Sequence, residues 1–493
     1  MTFKYDNVGL MDFQRVDELH DIGYNRTISM MDSIKSRIHR RVNLDNIRLR
    51  RMVYRSNYPE LRFKNIIIDG ANTQQQAYIK KEFHKSDNKE FSYEDLKQGY
   101  FRLLSDNMIS EIIPHAIYNP EDDTYDLHLK VKLENNFAVR LGGNISTSNS
   151  NQIYLGLSYQ DLNYYAKEFV FDGQLGKVYN NAQFMAKIDF STAIPTSYRF
   201  IASISTFDYF KKDKLFSRND KPAFNQKDER FLKLQVGLPF LSSKRAEFGI
   251  GIARIEDKYF QKSVIDFGND KFDKSRYDLF GGSISFNGST LNSRQYPTRG
   301  YREALIAQIF IGRERFYPGE SATGNNNKEH HSWLQLSYMK EKYHNMSEHW
   351  VLGWYLKALY ASKNFSENYT ATMMQAGEFS PTQHSKLTYN EAFRANQFVG
   401  AGIRPIYRLN QMFHLRGEFY GFMPIYPIER NSLNKAYYGK AFSKFEYLGE
   451  ISVVCQLPFG DISAYVNHYS SPKREWNVGL SIGWQLFNYR FIE

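Results

Sequence analysis

Trp476-Asn-Val-Gly-Leu-Ser-Ile-Gly-Trp-Gln-Leu-Phe487 places Trp476, Val478, Leu480, Ile482, Trp484 and Leu486 on one face of a strand and Asn477, Gly479, Ser481, Gly483 and Gln485 on the other. Side chains alternate across a strand, so one face is apolar and the other small or polar. The pattern recurs. Leu232, Leu234, Val236, Leu238 and Phe240 alternate with Lys233, Gln235, Gly237 and Pro239, and Phe280, Gly282, Ile284 and Phe286 alternate with Gly281, Ser283 and Ser285. In a bilayer every backbone polar group needs an internal partner. Repeated amphipathic strands of about ten residues therefore predict a mainly β fold, a closed transmembrane antiparallel barrel with lipid outside and a wet lumen within.

Composition agrees. No segment reaches the roughly twenty apolar residues of a spanning helix. The 38 Phe, 36 Tyr and 5 Trp supply rings for girdles at both membrane interfaces. The formal charge is +11, but Lys and Arg are mixed with Asp and Glu in polar stretches such as 211–230 and 266–276. These read as solvated loops, lumen charges and contacts with anionic lipid, and not as a nucleic-acid surface. The single cysteine, Cys455, excludes a disulfide framework and a cysteine metal cluster.

The start, Met1-Thr-Phe-Lys-Tyr-Asp6, has no apolar secretory region, so the chain reads as a fragment or its start as misassigned, and the helical stripe that follows, with little to pack against, implies a missing upstream domain. Met11 to Arg41 reads as one or two helices with Ile28, Met31, Ile34 and Ile38 on a stripe. From Leu61 the character changes. Phe63 to Ile68 is a strand ending in the turn Asp69-Gly70; Thr73 to Phe83 and Tyr93 to Leu104 are helical, the second capped by Ser92 with Asp95 three residues on. Ile109 to Tyr118 and Thr124 to Leu133 are strands around Asn119-Pro120-Glu121-Asp122. The order describes a small two-layer α+β module with a strand edge free for a partner.

The barrel is expected from Phe137 to Phe487. Counting alternating segments gives one strand too many for an even-stranded barrel, so about sixteen are predicted, with 369–378 or 137–147 as the surplus one. Polar insertions at 211–229, 261–276, 313–329 and 428–440 read as loops on one side.

Three sets of residues carry a resemblance. They are Asp12-Phe13, Asp21-Ile-Gly-Tyr24 and Met31-Asp-Ser-Ile-Lys35; Phe63-Lys-Asn-Ile-Ile-Ile-Asp-Gly70 with Phe91-Ser-Tyr-Glu-Asp-Leu-Lys-Gln-Gly-Tyr-Phe101; and Arg294-Gln-Tyr-Pro-Thr-Arg-Gly300. In that order the chain resembles the C-terminal part of a bacterial patatin-like phospholipase fused to a barrel of the bacterial surface antigen superfamily, which includes BamA. The resemblance implies three parts: 1–60, a helical remnant of the patatin-like domain; 61–135, a periplasmic POTRA-like domain; and 136–493, an outer-membrane barrel. It implies that the barrel anchors an upstream lipid-hydrolase domain and helps to translocate it. The alternative is an outer-membrane protein assembly or secretion factor that pairs a strand edge with its client. The implied partners are outer-membrane lipid, lipopolysaccharide and periplasmic client or assembly proteins.

The departures bear on chemistry. The patatin nucleophile needs Gly-x-Ser-x-Gly, which is absent; Gly281-Gly-Ser-Ile-Ser285 lies in an alternating strand, and Asp69-Gly70 is a turn with no serine partner upstream. No catalytic residue, cofactor or metal is therefore expected, and the chain itself is not expected to hydrolyse lipid. His330-His331, His344 and His349 read as surface or lumen histidines, and Lys80-Lys81 and Arg40-Arg41 as solvated helix faces. Superfamily barrels carry an arginine on a loop that folds into the lumen. Phe393-Arg-Ala-Asn396 stands near that place with Ala395 where the family has glycine, so Arg394 is the expected lumen latch, paired with the inner wall; Arg404 or Arg408 is the substitute.

Overall fold

The computed structural model describes residues 16–38, 43–56, 60–83, 90–148, 150–190, 194–209, 225–241, 244–261, 271–320, 326–471 and 476–493. Asp12-Phe13 and Arg40-Arg41 lie outside them. Helices α1 (Val16–Ser29), α2 (Met31–Arg37) and α3 (Leu44–Ser56) come first, and none holds a buried residue.

The small domain follows as β1 (Arg62–Asp69), α4 (Thr73–Phe83), β2 (Phe91–Ser92), α5 (Tyr93–Leu104), β3 (Ile109–Asn119) and β4 (Thr124–Leu133). Local chemistry sets its boundaries. The Ser92 hydroxyl accepts the Asp95 N–H at 3.2 Å and the Asp95 carboxylate accepts the Ser92 N–H at 2.9 Å, the reciprocal cap that their spacing predicts. Two bonds donated to that carboxylate, from the Ser92 N–H first and from the Ser92 hydroxyl at 2.7 Å second, hold the Asp95 carboxyl below its ordinary value. Gly70 closes β1 at φ +88°, where a Cβ would stand 2.1 Å from the Val131 carbonyl oxygen. Asp69-Gly70 is thus a turn that needs glycine.

The sheet order is β2-β1-β4-β3, with β1 and β4 parallel. Phe63, Ile79, Phe83, Leu103, Leu127 and Leu129 form its core. Strand β3 is an edge, with Ile113, Ile117 and Tyr118 exposed. Leu162 and Ala166 of the barrel complete the same core and seat the small domain on one mouth, called proximal below.

The barrel wall begins with β5 (Phe137–Ser146), β6 (Gln152–Leu162), β7 (Ala166–Gly176), β8 (Tyr179–Phe190), β9 (Thr196–Tyr209) and β10 (Asn225–Phe240). It continues with β11 (Lys244–Tyr259), β12 (Asp273–Ser289), β13 (Gly300–Tyr317), β14 (Asn327–Asn345) and β15 (Trp350–Ala361). A non-wall stretch then carries α6 (Tyr369–Gln375), β16 (Gly377–Glu378) and β17 (Arg394–Ala395). The wall resumes with β18 (Gln397–Arg408) and β19 (Phe413–Pro424), a short hairpin of β20 (Ile428–Arg430) and β21 (Ala436–Tyr438), and then β22 (Glu446–Leu457), β23 (Gly460–Tyr469) and β24 (Trp476–Gly483). Among the described residues sixteen antiparallel strands close the barrel, with β24 meeting β5. The surplus segment is 369–378, which is α6 and the two-residue β16 outside the wall, whereas 137–146 is wall.

Leu234, Ile250 and Ile309 are more than half exposed on the outer face, and Lys233, Gln235 and Gln308 are buried on the inner one. Two expectations need correction. Strands β10 to β14 run on into 225–229, 273–276, 313–317 and 327–329, because cross-strand ion pairs such as Lys258–Asp228 at 3.0 Å and Lys274–Glu256 at 2.6 Å sustain the ladder beyond the apolar band. The last strand stops at Gly483, so Trp484 and Leu486 leave the lipid face. Gly483 has φ +110°, and a Cβ there would lie 2.1 Å from the Gly143 carbonyl oxygen. Glycine alone allows that bend.

Candidate functional site: the seam and the filled lumen

Beyond Gly483 the chain turns into the barrel. The Gln485 N–H donates to the Gln295 side-chain oxygen at 2.7 Å and the Leu486 N–H to Gln152 at 2.8 Å; Asn488 bonds Gln174 and Asn181. The Phe491 N–H reaches Glu229 at 2.6 Å, and Gln308 donates to the Phe491 carbonyl at 3.1 Å. The Phe491 ring is 2% exposed, among Phe231, Ile255, Tyr277 and Phe310. Two inner-wall glycines make its seat. A Cβ on Gly251 would stand 3.0 Å from that ring and one on Gly281 3.1 Å. Residues 484–493 are therefore a lumenal strap built to fit its wall.

A second segment enters between β15 and β18. Its helix α6 is capped by Asn368, whose side-chain oxygen accepts the Ala371 N–H at 2.9 Å and whose amide donates to Tyr259 of β11 at 2.6 Å. Gln375 donates to Asp257 at 2.6 Å, and Lys227 of β10 donates to the Met374 carbonyl at 3.4 Å. The segment thus crosses the lumen to β10 and β11. Phe379 and Phe393 then pack on Phe398 and Phe422.

Arg394 lies on this segment and is 6% exposed. Its guanidinium donates to Glu378 at 2.8 Å and to the Ala376 carbonyl at 3.3 Å, and covers the Tyr389 ring at 4.6 Å. Its carboxylate partner is on the same inward segment, opposite it across the β16/β17 pair, and not on the wall as expected. The wall and strap reach Glu378 instead. Lys357 donates to its carbonyl at 2.8 Å, and Arg490 stands 4.0 Å from its carboxylate. Of the substitutes, Arg404 is buried, pairs with Glu341, and donates to the Pro381 carbonyl at 3.1 Å. Arg408 stays at the proximal rim on the Glu348 carbonyl.

The third internal element is the β12–β13 turn, which contains Arg294-Gln-Tyr-Pro-Thr-Arg-Gly300. Tyr296 holds φ +48°, an unusual value for a bulky residue. Its hydroxyl donates to Ser463 at 3.0 Å and lies 3.3 Å from His384 Nε2, while His384 Nδ1 lies 2.8 Å from Glu450. Arg416 of β19, paired with Glu418, donates to the Pro297 carbonyl at 2.8 Å. Gln295 joins everything. Besides Gln485 it bonds the Gly483 carbonyl at 3.2 Å, Asp461 at 3.4 Å and Gln383 of the inward segment at 2.8 Å. The sequence singled out this string as barrel-like but carried no sign that Gln295 and Tyr296 point inward.

The seam between β24 and β5 is short. Among the described residues its register pairs are Ser481–Ser146, Ile482–Ile145 and Gly483–Asn144, whereas β13 and β14 pair from Gly300–Tyr343 to Phe316–Asn327. Side chains supplement it: Ser481 donates to Asn144 at 2.6 Å, and Ser146 to the Leu480 carbonyl at 2.9 Å. Residues 137–141 run past the end of β24. Each is exposed, including Phe137, Val139 and Leu141. Among the described residues this is an unpaired strand edge in the wall.

The remaining sequence sites separate. His331 faces inward, 2.8 Å from Glu314, and Glu329 completes a set whose ligand atoms lie within 4.8 Å of one another. Cross-strand neighbours formed it, which spacing along the chain does not reveal; Glu314 also accepts the Tyr277 hydroxyl at 3.1 Å. His349 bonds the Arg408 carbonyl in the proximal rim. Ser283 of the Gly281–Ser285 string lies in β12 and donates to the Gly249 carbonyl at 3.5 Å.

No family model and no curated protein matches the chain. Solved structures do. BamA from Haemophilus ducreyi lacking POTRA domains 1–3 aligns over 86% of this chain and 84% of that one, with a TM-score of 0.58 and 12% identity. CdiB from Acinetobacter baumannii aligns over 86% and 74% with a TM-score of 0.49 and 9% identity, and CdiB from Escherichia coli over 86% and 76% with 0.45 and 11%. The shared property with the BamA structure is the fold: a sixteen-stranded antiparallel barrel preceded by small helical and β elements.

Proposed function

We propose that this chain is an outer-membrane barrel that inserts or exports polypeptides, with the small domain in the periplasm and the β5 edge receiving a client strand. The observation that carries this reading is the seam. An edge with free N–H and C=O groups is a template for strand addition, and three register pairs are a small barrier to opening. The exposed β3 edge of the small domain supplies an earlier station of the same kind. The fold shared with BamA supports this assignment over the anchoring role, since the reading of 1–60 as a patatin remnant rests on resemblance alone.

The test is a lock. In a Cys455→Ser background, Ser146→Cys with Ser481→Cys forms a disulfide across a register pair. With the variant as sole copy, oxidation is expected to deplete newly inserted or secreted client protein, and reductant to restore it. Full client output through the oxidised barrel sinks the proposal. We further infer that the chain is not itself a hydrolase, since its sequence has no Gly-x-Ser-x-Gly string; ester hydrolysis by purified chain that one serine substitution abolishes would overturn this.

A further inference from the structure

Outward-facing side chains beyond the apolar band of β10 to β14 form rows fixed by register. In the row next to the apolar surface, Arg230 lies directly opposite Arg254, Arg254 opposite Asp278, Asp278 opposite Arg313, and Arg313 opposite His330. Like charges facing each other across a ladder are destabilising, so the Arg230–Arg254 pair asks for an anion. The local carboxylates are occupied. Asp278 holds Arg254 at 2.6 Å and Arg315 at 3.8 Å; Glu256 holds Lys274 at 2.6 Å and Arg276 at 3.1 Å; Asp228 holds Lys258 at 3.0 Å. Arg230 and Arg313 are exposed and have no carboxylate partner among the described residues.

Toward the membrane the next row is apolar: Leu232, Ile252, Phe280 and Ile311, each at least 45% exposed. Below it the outer wall is dented. A groove of about 940 Å³ is lined by Phe200, Leu234, Ile250, Gly282, Ile309 and Leu334, and Gly282 leaves its floor without a side chain. Cations at the membrane boundary above an apolar groove match a lipid with a phosphorylated head. Arg230 and Arg313 are three strands apart, roughly 14 Å at about 4.8 Å per strand. One glycerophosphate cannot serve both, whereas a diphosphorylated disaccharide carries a phosphate at each end.

We propose that the outer face of β10 to β13 binds lipid A, the phosphorylated glycolipid of the outer leaflet, with Arg230 and Arg313 on its two phosphates and an acyl chain in the groove. This rests on the outer-membrane reading above and adds a ligand and a site to it. Arginine suits the task because its planar fork meets phosphate oxygens in pairs.

The experiment uses the full chain in vesicles of phosphatidylethanolamine and phosphatidylglycerol, with and without diphosphoryl lipid A. Lipid retained per barrel after detergent extraction is measured by mass spectrometry. The native chain is expected to retain lipid A over phosphatidylglycerol. R230Q/R313Q is expected to lose at least ten-fold of that retention, while monophosphoryl lipid A binds the native chain less than the diphosphoryl form. Heat-modifiable gel migration shows that the variant has folded, and R230K/R313K, which keeps the charge, is expected to recover part of the retention. Equal retention by R230Q/R313Q, or equal retention of phosphatidylglycerol, overturns the proposal. Orientation is read separately: Asn431→Cys on the distal hairpin should react with an impermeant maleimide in intact cells. Labelling without lipid A retention overturns the lipid site alone, and failure to label overturns the outer-leaflet assignment and the earlier reading with it.

Discussion

Arg394 lies on the inward segment, and its carboxylate partner is not an inner-wall residue. Ala395 left open whether the arginine enters the lumen, and the chain could not reveal that its carboxylate comes from Glu378, sixteen residues earlier, through a two-residue β pairing. Removing it would leave the partly buried Glu378 carboxylate with Arg490 at 4.0 Å as its remaining ion-pair partner among the described residues. Arg394→Ala is therefore expected to cost up to about 3 kcal/mol, less than a fully orphaned buried pair, with the small domain unaffected. Urea unfolding of the barrel followed by tryptophan fluorescence measures it; an unchanged midpoint would mean that Glu378 is held by other means. The lipid face behaves differently. Leu234 points outward from the middle of β10 and is 55% exposed, so Leu234→Arg is expected to cost roughly 2–4 kcal/mol in vesicle folding titrations. Period-two alternation made that face legible. It could not rank the inner residues, because cross-lumen partners such as Gln308 and Phe491 are related by the fold and not by spacing.

At the scale of elements, those with local causes were legible and those with tertiary causes were not. The helix α5 announced itself through Ser92 and Asp95, and the small domain's order followed from caps, turns and alternation. Its cap is also a pH element. The Asp95 carboxyl is held low, so its contribution is complete above the ordinary carboxylate range and is lost as pH falls through the lowered folded value. Ser92→Ala is expected to cost about 1 kcal/mol and to make that acid limb shallower by the hydroxyl's share, the Ser92 N–H bond remaining, in thermal melts of isolated 61–135; an equally steep limb would show that the hydroxyl does not contribute to the acid sensitivity. Residues 484–493 were the clearest miss. Their alternation continues that of β24, yet Gly483 turns them into the lumen, where backbone groups find Gln152, Glu229 and Gln308. Periodicity reports which faces differ, but not where a strand leaves its sheet. Deleting 484–493 is expected to raise single-channel conductance in planar bilayers several-fold while heat-modifiable migration persists; unchanged conductance would show that the inward segment alone closes the lumen.

For the whole molecule, closure at sixteen strands was readable from even parity and repeat count, but the connection among seam, strap and inward segment was not. That connection passes through Gln295. Its oxygen accepts the Gln485 N–H and the Gln383 amide, and its own amide faces the Gly483 carbonyl and Asp461. Gly483 is the last residue of the seam strand, so a client strand that displaces β24 from β5 must disturb Gln295. Three elements that contact different walls therefore share one polar group at the proximal end of the seam. Gln295→Ala deletes those bonds and leaves buried groups unpaired, at about 1 kcal/mol each for the stronger two. It is expected to increase opening of the seam, read as faster exchange of the Leu480, Ile482 and Trp484 amides, which face β5, and to raise conductance as well. Combined with deletion of 484–493, its effect on stability should be less than additive, because both changes release Gln485 from the same acceptor. Strict additivity in that cycle, or seam exchange unchanged by Gln295→Ala, would show that the wall and its internal segments move independently and that opening at β5 does not pass through the lumen.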